Sequence, residues 1–171
     1  HLSIESFTEQ YASGKILEPE LDSFFEHDQA VRESGHDTTY RWRIDGKDQC
    51  ANFVTVDLNS LLYKFEIDIA HSMKDIFKDP ARSKSWYARA EKRKTLIRKY
   101  LWDPERKLFF DYDFVHERRH KYVSATALYP LWAMDPGKEA TKILTPDEAK
   151  ALVKNLLAEL EMAGGLAATS P

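Results

Sequence analysis

The chain is poor in most features that announce a function by themselves. It has one cysteine, Cys50, so no internal disulfide can form, which fits a reducing compartment. Its six glycines build no phosphate-cradling loop, and no Gly-x-Ser-x-Gly nucleophile elbow is present. No apolar run reaches the roughly 18 residues of a membrane span, so no membrane partner is expected. Six histidines give no His-Glu-x-x-His spacing and no Cys-x-x-Cys exists, while His116 and His120 sit beside Arg118 and Arg119 in a loop or hairpin. Neither a metal nor another cofactor is expected. The formal net charge of -3 is too small to attract nucleic acid at long range. The basic run Lys92-Arg93-Lys94 with Arg98-Lys99 reads as a solvated helix face, because Glu91 interrupts it. No repeat period is found, which argues against a helical-repeat interaction scaffold.

What remains is a helical grammar with a generous aromatic supply. Hydrophobic residues make up 43%, charged residues 31% and aromatics 12% of the 171 positions, the balance of a globular chain with a real core. Leu21, Phe24, Phe25, Asp28 and Val31 recur at helical spacing after Pro19, and Gly35 is placed to close that helix in the left-handed region. Residues 44–54 read as loop, with a turn at Asp45-Gly46. Leu58, Leu62, Phe65, Ile69, Met73 and Ile76 mark the longest amphipathic helix, with Thr55 or Asp57 as its N-cap and Asp79-Pro80 beyond its end. A further helix is expected over 83–101, with Trp86, Ala90, Ile97 and Leu101 on its buried stripe. A turn follows at 102–105, and an extended segment over 108–114 is expected to hairpin with 121–123. Ser124 can cap a short helix bearing Leu128, Leu131 and Trp132. The last helix carries a capping box of Thr145 and Glu148 around Pro146, a stripe of Leu152, Val153, Leu156, Leu157 and Leu160, and a stop at Gly164-Gly165.

One segment carries chemistry. In Arg32-Glu33-Ser34-Gly35-His36-Asp37-Thr38-Thr39-Tyr40-Arg41-Trp42 an aspartate follows a helix-stopping glycine among arginines, a histidine and aromatics. Asp37 could simply cap the next turn. It could also be a general acid, provided a desolvated site lifts its pKa toward neutrality. Arg32 and Arg41 offer rigid forks for sugar hydroxyls or carboxylates. Beside Asp37 they would instead hold it ionised, unless a substrate or another carboxylate engages them.

The same run, followed by Thr55-Val56-Asp57-Leu58-Asn59-Ser60-Leu61-Leu62-Tyr63-Lys64, closely resembles the catalytic domain of trehalases, in particular the neutral cytosolic fungal type with His at position 36. The likeness continues in order through Lys99-Tyr100-Leu101-Trp102-Asp103, Phe110-Asp111-Tyr112-Asp113, Ala127-Leu128-Tyr129-Pro130-Leu131 and Gly164-Gly165-Leu166-Ala167-Ala168-Thr169-Ser170. The resemblance implies a mainly α fold, part of an (α/α)6 barrel with a short β-hairpin excursion. The chain would be a central fragment of the catalytic domain spanning 1–171, flanked by missing barrel helices. It further implies cytoplasmic, inverting hydrolysis of α,α-trehalose to two glucoses, without a cofactor. Asp37 matches the family's general acid, Arg32 and Gly35 match substrate-contacting positions, and Arg41 lies in the motif. The upstream Pro-Gly-Gly-Arg-Phe motif and the downstream Gln-Trp-Asp run are absent, and no glutamate matches the catalytic base. Any regulatory protein partner would act through regions outside this stretch. The rival readings are a non-catalytic helical domain that binds carbohydrate or regulates, and a helical interaction scaffold.

Overall fold

The computed structural model describes residues 2–36, 39–135, 138 and 141–169. By its internal contacts the chain divides into two units, His1–Ala51 and Asn52–Pro171.

The first unit begins with α1 (Ile4–Ala12), which the sequence reading did not anticipate. Ser3 caps it by accepting from the Ser6 amide at 3.2 Å, and no residue of the helix is buried. Then comes α2 (Pro19–Glu33), with Pro19 in its first turn. Gly35, at φ +75°, ends it in the backbone region that L side chains avoid. After a 3₁₀ turn at Tyr40–Trp42, the strands β1 (Arg43–Ile44) and β2 (Lys47–Asp48) pair antiparallel. Asp45 and Gly46 make their tight turn at φ 50° and 79°, both left-handed as a type I′ turn demands. The expected turn is in place, but the surrounding loop is a hairpin.

The second unit opens with β3 (Phe53–Val54) and the long helix α3 (Val56–Asp75). Next are α4 (Pro80–Leu96), capped by Asp79 on the Arg82 amide at 3.0 Å, and a π-helical turn at Ile97–Leu101. Strands β4 (Trp102–Asp103) and β5 (Leu108–Phe109) pair around the expected turn. The extended segment then supplies β6 (Tyr112–Asp113), which pairs with both β3 and β7 (Arg118–Arg119). The hairpin partner is therefore 118–119, not 121–123: Asp113 caps a tight turn by accepting from the amides of Val115 and His116, at 3.1 Å each. Ser124 does cap a short 3₁₀ run that continues into α5 (Tyr129–Trp132), with Pro130 in its first turn. Helix α6 (Pro146–Leu160) has the complete Thr145–Glu148 capping box. It ends before the glycines, which instead turn the hairpin of β8 (Glu161–Met162) and β9 (Gly165–Leu166).

The core of the second unit joins Val56, Tyr63 and Ile67 of α3 to Ala90, Ile97, Leu101, Phe109 and the Leu152–Leu156–Leu160 stripe of α6. On α3 this is the face opposite to the one the sequence pattern picked out. Leu58, Phe65 and Ile76 are each more than half exposed, whereas Tyr63 and Ala70 are fully buried. Both faces of α3 carry apolar residues, and periodicity alone does not say which one meets the neighbours. The buried face tolerates Glu66 because Arg93 of α4 clamps it with two 2.9 Å bonds.

Candidate functional site

The site expected from the sequence lies where α2 ends, within the first unit. Its last turn is closed by the Ser34 hydroxyl, which donates to the Val31 carbonyl at 2.6 Å. Gly35 then reverses the backbone. A Cβ at Gly35 would meet nothing within 4 Å, so its φ, and not a close neighbour, is what requires glycine. Asp37 lies outside the described residues.

Beyond it, Thr39 caps the 3₁₀ turn by accepting from the Arg41 amide at 3.1 Å. Arg41 and Trp42 are both almost fully buried. The Arg41 guanidinium lies 4.8 Å from the centre of the Trp42 ring, and its Nη1 stands 3.5 Å from Nε2 of His36. The His36 ring meets Trp42 edge-on at 5.8 Å. His36, Arg41 and Trp42 therefore form one packed aromatic and cationic cluster, as the motif's composition suggests.

Arg32 is engaged elsewhere. Its Nε donates to Asp28 Oδ2 at 2.7 Å and its Nη2 to Oδ1 at 3.3 Å, one helical turn away, and the side chain is 76% exposed. Of the two engagements the sequence reading allowed for the arginines, a substrate or another carboxylate, Arg32 has the second, with Asp28. The spacing of Asp28 and Arg32 on one helix face could have revealed the pair.

A cleft of about 550 Å3 lies in this unit between the Pro19–Val31 face of α2 and the β1–β2 hairpin. His27, which the sequence reading passed over, forms part of its wall. It is nearly buried and accepts the Ala51 amide proton on Nδ1 at 3.2 Å.

In the second unit, carboxylates of the motif segments hold backbone amides. The Val56 amide, at the start of α3, donates to Asp111 Oδ1 at 2.9 Å. That carboxylate, 55 positions away in sequence, does the work expected of Thr55 or Asp57. Thr55 makes no side-chain cap, and Asp57 accepts from the neighbouring Leu58 amide. Burial alone would push the Asp113 carboxyl up, but the His116 amide, the His116 ring with its Nδ1 at 2.6 Å, and the Val115 amide outweigh it and hold it below the ordinary range. Burial pushes the His120 imidazole down, against the pull of Asp111 and Asp113. Among the described residues no group of three or more His, Cys, Asp or Glu is arranged to hold a metal ion. No helix among them is long and apolar enough to cross a membrane.

Against known proteins, the family model described as Trehalase matches residues 1–171. The cytosolic neutral trehalase of Emericella nidulans is 42% identical over 183 residues, covering 96% of this chain and 23% of that protein. The cytosolic neutral trehalase of Saccharomyces cerevisiae is 44% identical over 176 residues, covering 98% of this chain and 22% of its own length. Among solved structures, neutral trehalase Nth1 from Saccharomyces cerevisiae superposes with a TM-score of 0.83 at 44% identity, over 99% of this chain and 30% of that one. The chain thus spans under a quarter of the length of these curated relatives. The likeness bears out the fold class read from the sequence, a mainly α chain that is part of an (α/α)6 barrel.

Proposed function

The chain belongs to the trehalase family, and from that premise we propose that it carries the acid half of an inverting trehalose hydrolase. The observation that supports this most is the co-linear match of the whole chain to proteins named cytosolic neutral trehalase. The same names favour a cytosolic setting and trehalose as the substrate.

In this reading Asp37 protonates the glycosidic oxygen while a second carboxylate activates water across the sugar ring, roughly 6.5–9.5 Å from the acid. No glutamate of this chain is assigned as that base. Gly35, two positions before the acid in sequence, ends α2 in the left-handed region. Arg41, packed between His36 and Trp42, supplies fixed positive charge and donors for sugar hydroxyls. Arg32 can turn from Asp28 to the sugar, because an exposed pair on one helix costs little to open. Residues 1–171 then form part of a catalytic domain, and any regulatory partner acts through other regions.

Two assays test the reading. The purified 171-residue chain is expected to release no glucose from trehalose, since one carboxylate cannot run both halves of the inversion. In a full-length enzyme carrying this segment, Asp37→Asn is expected to lower kcat by about 10²–10⁴-fold with the fold intact. An unchanged rate for that variant removes the acid assignment.

A further inference from the structure

In the cluster of His36, Arg41 and Trp42, the reaction drawn above gives Arg41 a part and leaves His36 without one. We propose that His36 is a positioning residue for Arg41, and that it aims the guanidinium only while its own ring is neutral. Its role rests on the reading of Arg41 as a sugar contact and is independent of which carboxylate is the acid.

The direction of one hydrogen bond carries this assignment. A guanidinium has donors and no acceptor, so in the 3.5 Å contact between Arg41 Nη1 and His36 Nε2 the arginine donates and the imidazole accepts. Nε2 is therefore bare, and the hydrogen of the neutral ring sits on Nδ1. The bond is at the long end of the range, which suits aiming a side chain better than holding a fold together. The Trp42 ring bounds the guanidinium on a second side, its centre 4.8 Å away, and meets the His36 ring edge-on at 5.8 Å. Thr39 fixes the Arg41 backbone by accepting its amide at 3.1 Å. Arg41 is only 3% exposed, so these packed neighbours, and not bulk water, decide where its donors point.

Protonation of His36 reverses that arrangement. Both ring nitrogens become donors, and Nε2 can no longer accept. An imidazolium then stands against a guanidinium that keeps its charge at every working pH. Like charges at this distance repel, the more so beside a buried arginine. The charged groups of the adjoining elements have partners of their own. On α2, Arg32 bonds to Asp28 and Glu33 accepts from Gln29, while the Ser34 hydroxyl accepts the His36 amide. After the 3₁₀ turn, Arg43 faces Asp48 and lies over the Tyr40 ring. Asp37, next to His36 in sequence, is the remaining titratable group of the segment.

The sign of the effect separates His36 from the groups that move protons. A general acid works while it keeps its proton and fails as the pH rises. His36 works while it lacks one and fails as the pH falls. A base carboxylate also fails in acid, but it lowers kcat, whereas a lost sugar contact raises KM and leaves kcat in place.

The test follows kcat and KM for trehalose against pH in a full-length enzyme carrying this segment. KM of the wild type is expected to rise on the acid side. His36→Gln keeps an oxygen that accepts from Arg41 and takes up no proton, so its KM is expected to stay level over the same range. His36→Ala is expected to raise KM about tenfold at neutral pH with kcat held, and His36→Gln to recover most of that loss. A residue that merely fills space would move no pH dependence. A His36→Gln enzyme that keeps the wild-type acid rise, a His36→Ala enzyme with unchanged KM, or an effect confined to kcat would each overturn the assignment. Asp37→Asn is expected to lower kcat and keep the acid rise of KM. If its rate is unchanged, the acid assignment fails and His36 stands. If the wild-type KM is level in acid, His36 fails and the acid assignment stands.

Discussion

In residues 1–51 Arg32 pairs with Asp28 and Arg43 with Asp48, over four and five positions, while residues 52–171 combine local pairs of that kind with others that reach across the fold. Arg32 bonds to Asp28 and Gln29 to Glu33, each four residues apart. In the second unit Arg93 reaches Glu66 over 27 positions, and Arg98 reaches Glu148 over 50. The core follows the same division, with its whole buried cluster between Val56 and Leu160. In the first unit α1 buries nothing and α2 buries only His27. The segment that carries the candidate chemistry holds short-range ion pairs, and the scaffold adds long-range clamps to short-range pairs of its own. Local pairing leaves side chains able to change partners, as a binding surface requires. Distant pairing fixes helices in one arrangement.

The largest effect that could break this contrast comes from Arg93. The Glu66 side chain is only 6% exposed, and its two oxygens both accept from Arg93, which also donates to Asn59 at 3.1 Å. Arg93→Ala leaves a buried carboxylate without its counter-charge and is expected to cost about 3–5 kcal/mol. Urea unfolding followed by the fluorescence of Trp86 and Trp102 measures it. A loss below about 1 kcal/mol would make this pair no stronger than those of the first unit.

A smaller effect is the response to acid. Glu148 is pulled down from 4.5 to about 2, first by its hydrogen bonds with Arg98 and then by the amide of Thr145, against the opposing effect of burial. The unfolded chain takes up a proton near 4.5, and the folded chain only near 2. The stabilisation from this pair is complete above pH 4.5 and is lost as the pH falls from there toward 2. Asp113 contributes with the same sign, and His120, lowered from 6.5, begins the loss below that pH. Acid titration of the urea midpoint should therefore show a falling limb, made shallower between pH 4.5 and 2 by Glu148→Gln. An identical limb in that variant would show that the Arg98 clamp is not what the folded state loses.

How much of this could be read from the sequence follows the same local and distant division. The capping box at Thr145, the turn at Asp45-Gly46 and the helix stop at Gly35 were legible because each is written within four residues. The cap of α3 was not, since its acceptor is Asp111, a strand-end residue that sequence spacing does not connect to Val56. The strand partner of β6 was misplaced because Asp113 sets the turn by binding two amides, which an apolar pattern does not encode. For α3, two apolar faces compete and the pattern cannot rank them. At the candidate site, Arg41 beside Trp42 was readable as a motif. The role of His27 needed coordinates, because it depends on an amide 24 positions away.

The smallest expected effect gives the finest test of local against distant pairing. Asp28 and Arg32 form an exposed pair at i and i+4 with the acid nearer the helix N-terminus, the favourable orientation for the helix dipole. Removing it by Asp28→Ala is expected to lower the urea midpoint only slightly, and the loss should fade as salt is raised. The same substitution frees the Arg32 fork. In a full-length enzyme carrying this segment, a freed fork no longer has to leave a protein carboxylate to meet the sugar. KM for trehalose is then expected to fall or stay level while kcat holds. If KM instead rises severalfold with stability hardly changed, Asp28 is needed to aim the guanidinium, and this local pair is as constrained as the clamps in the second unit.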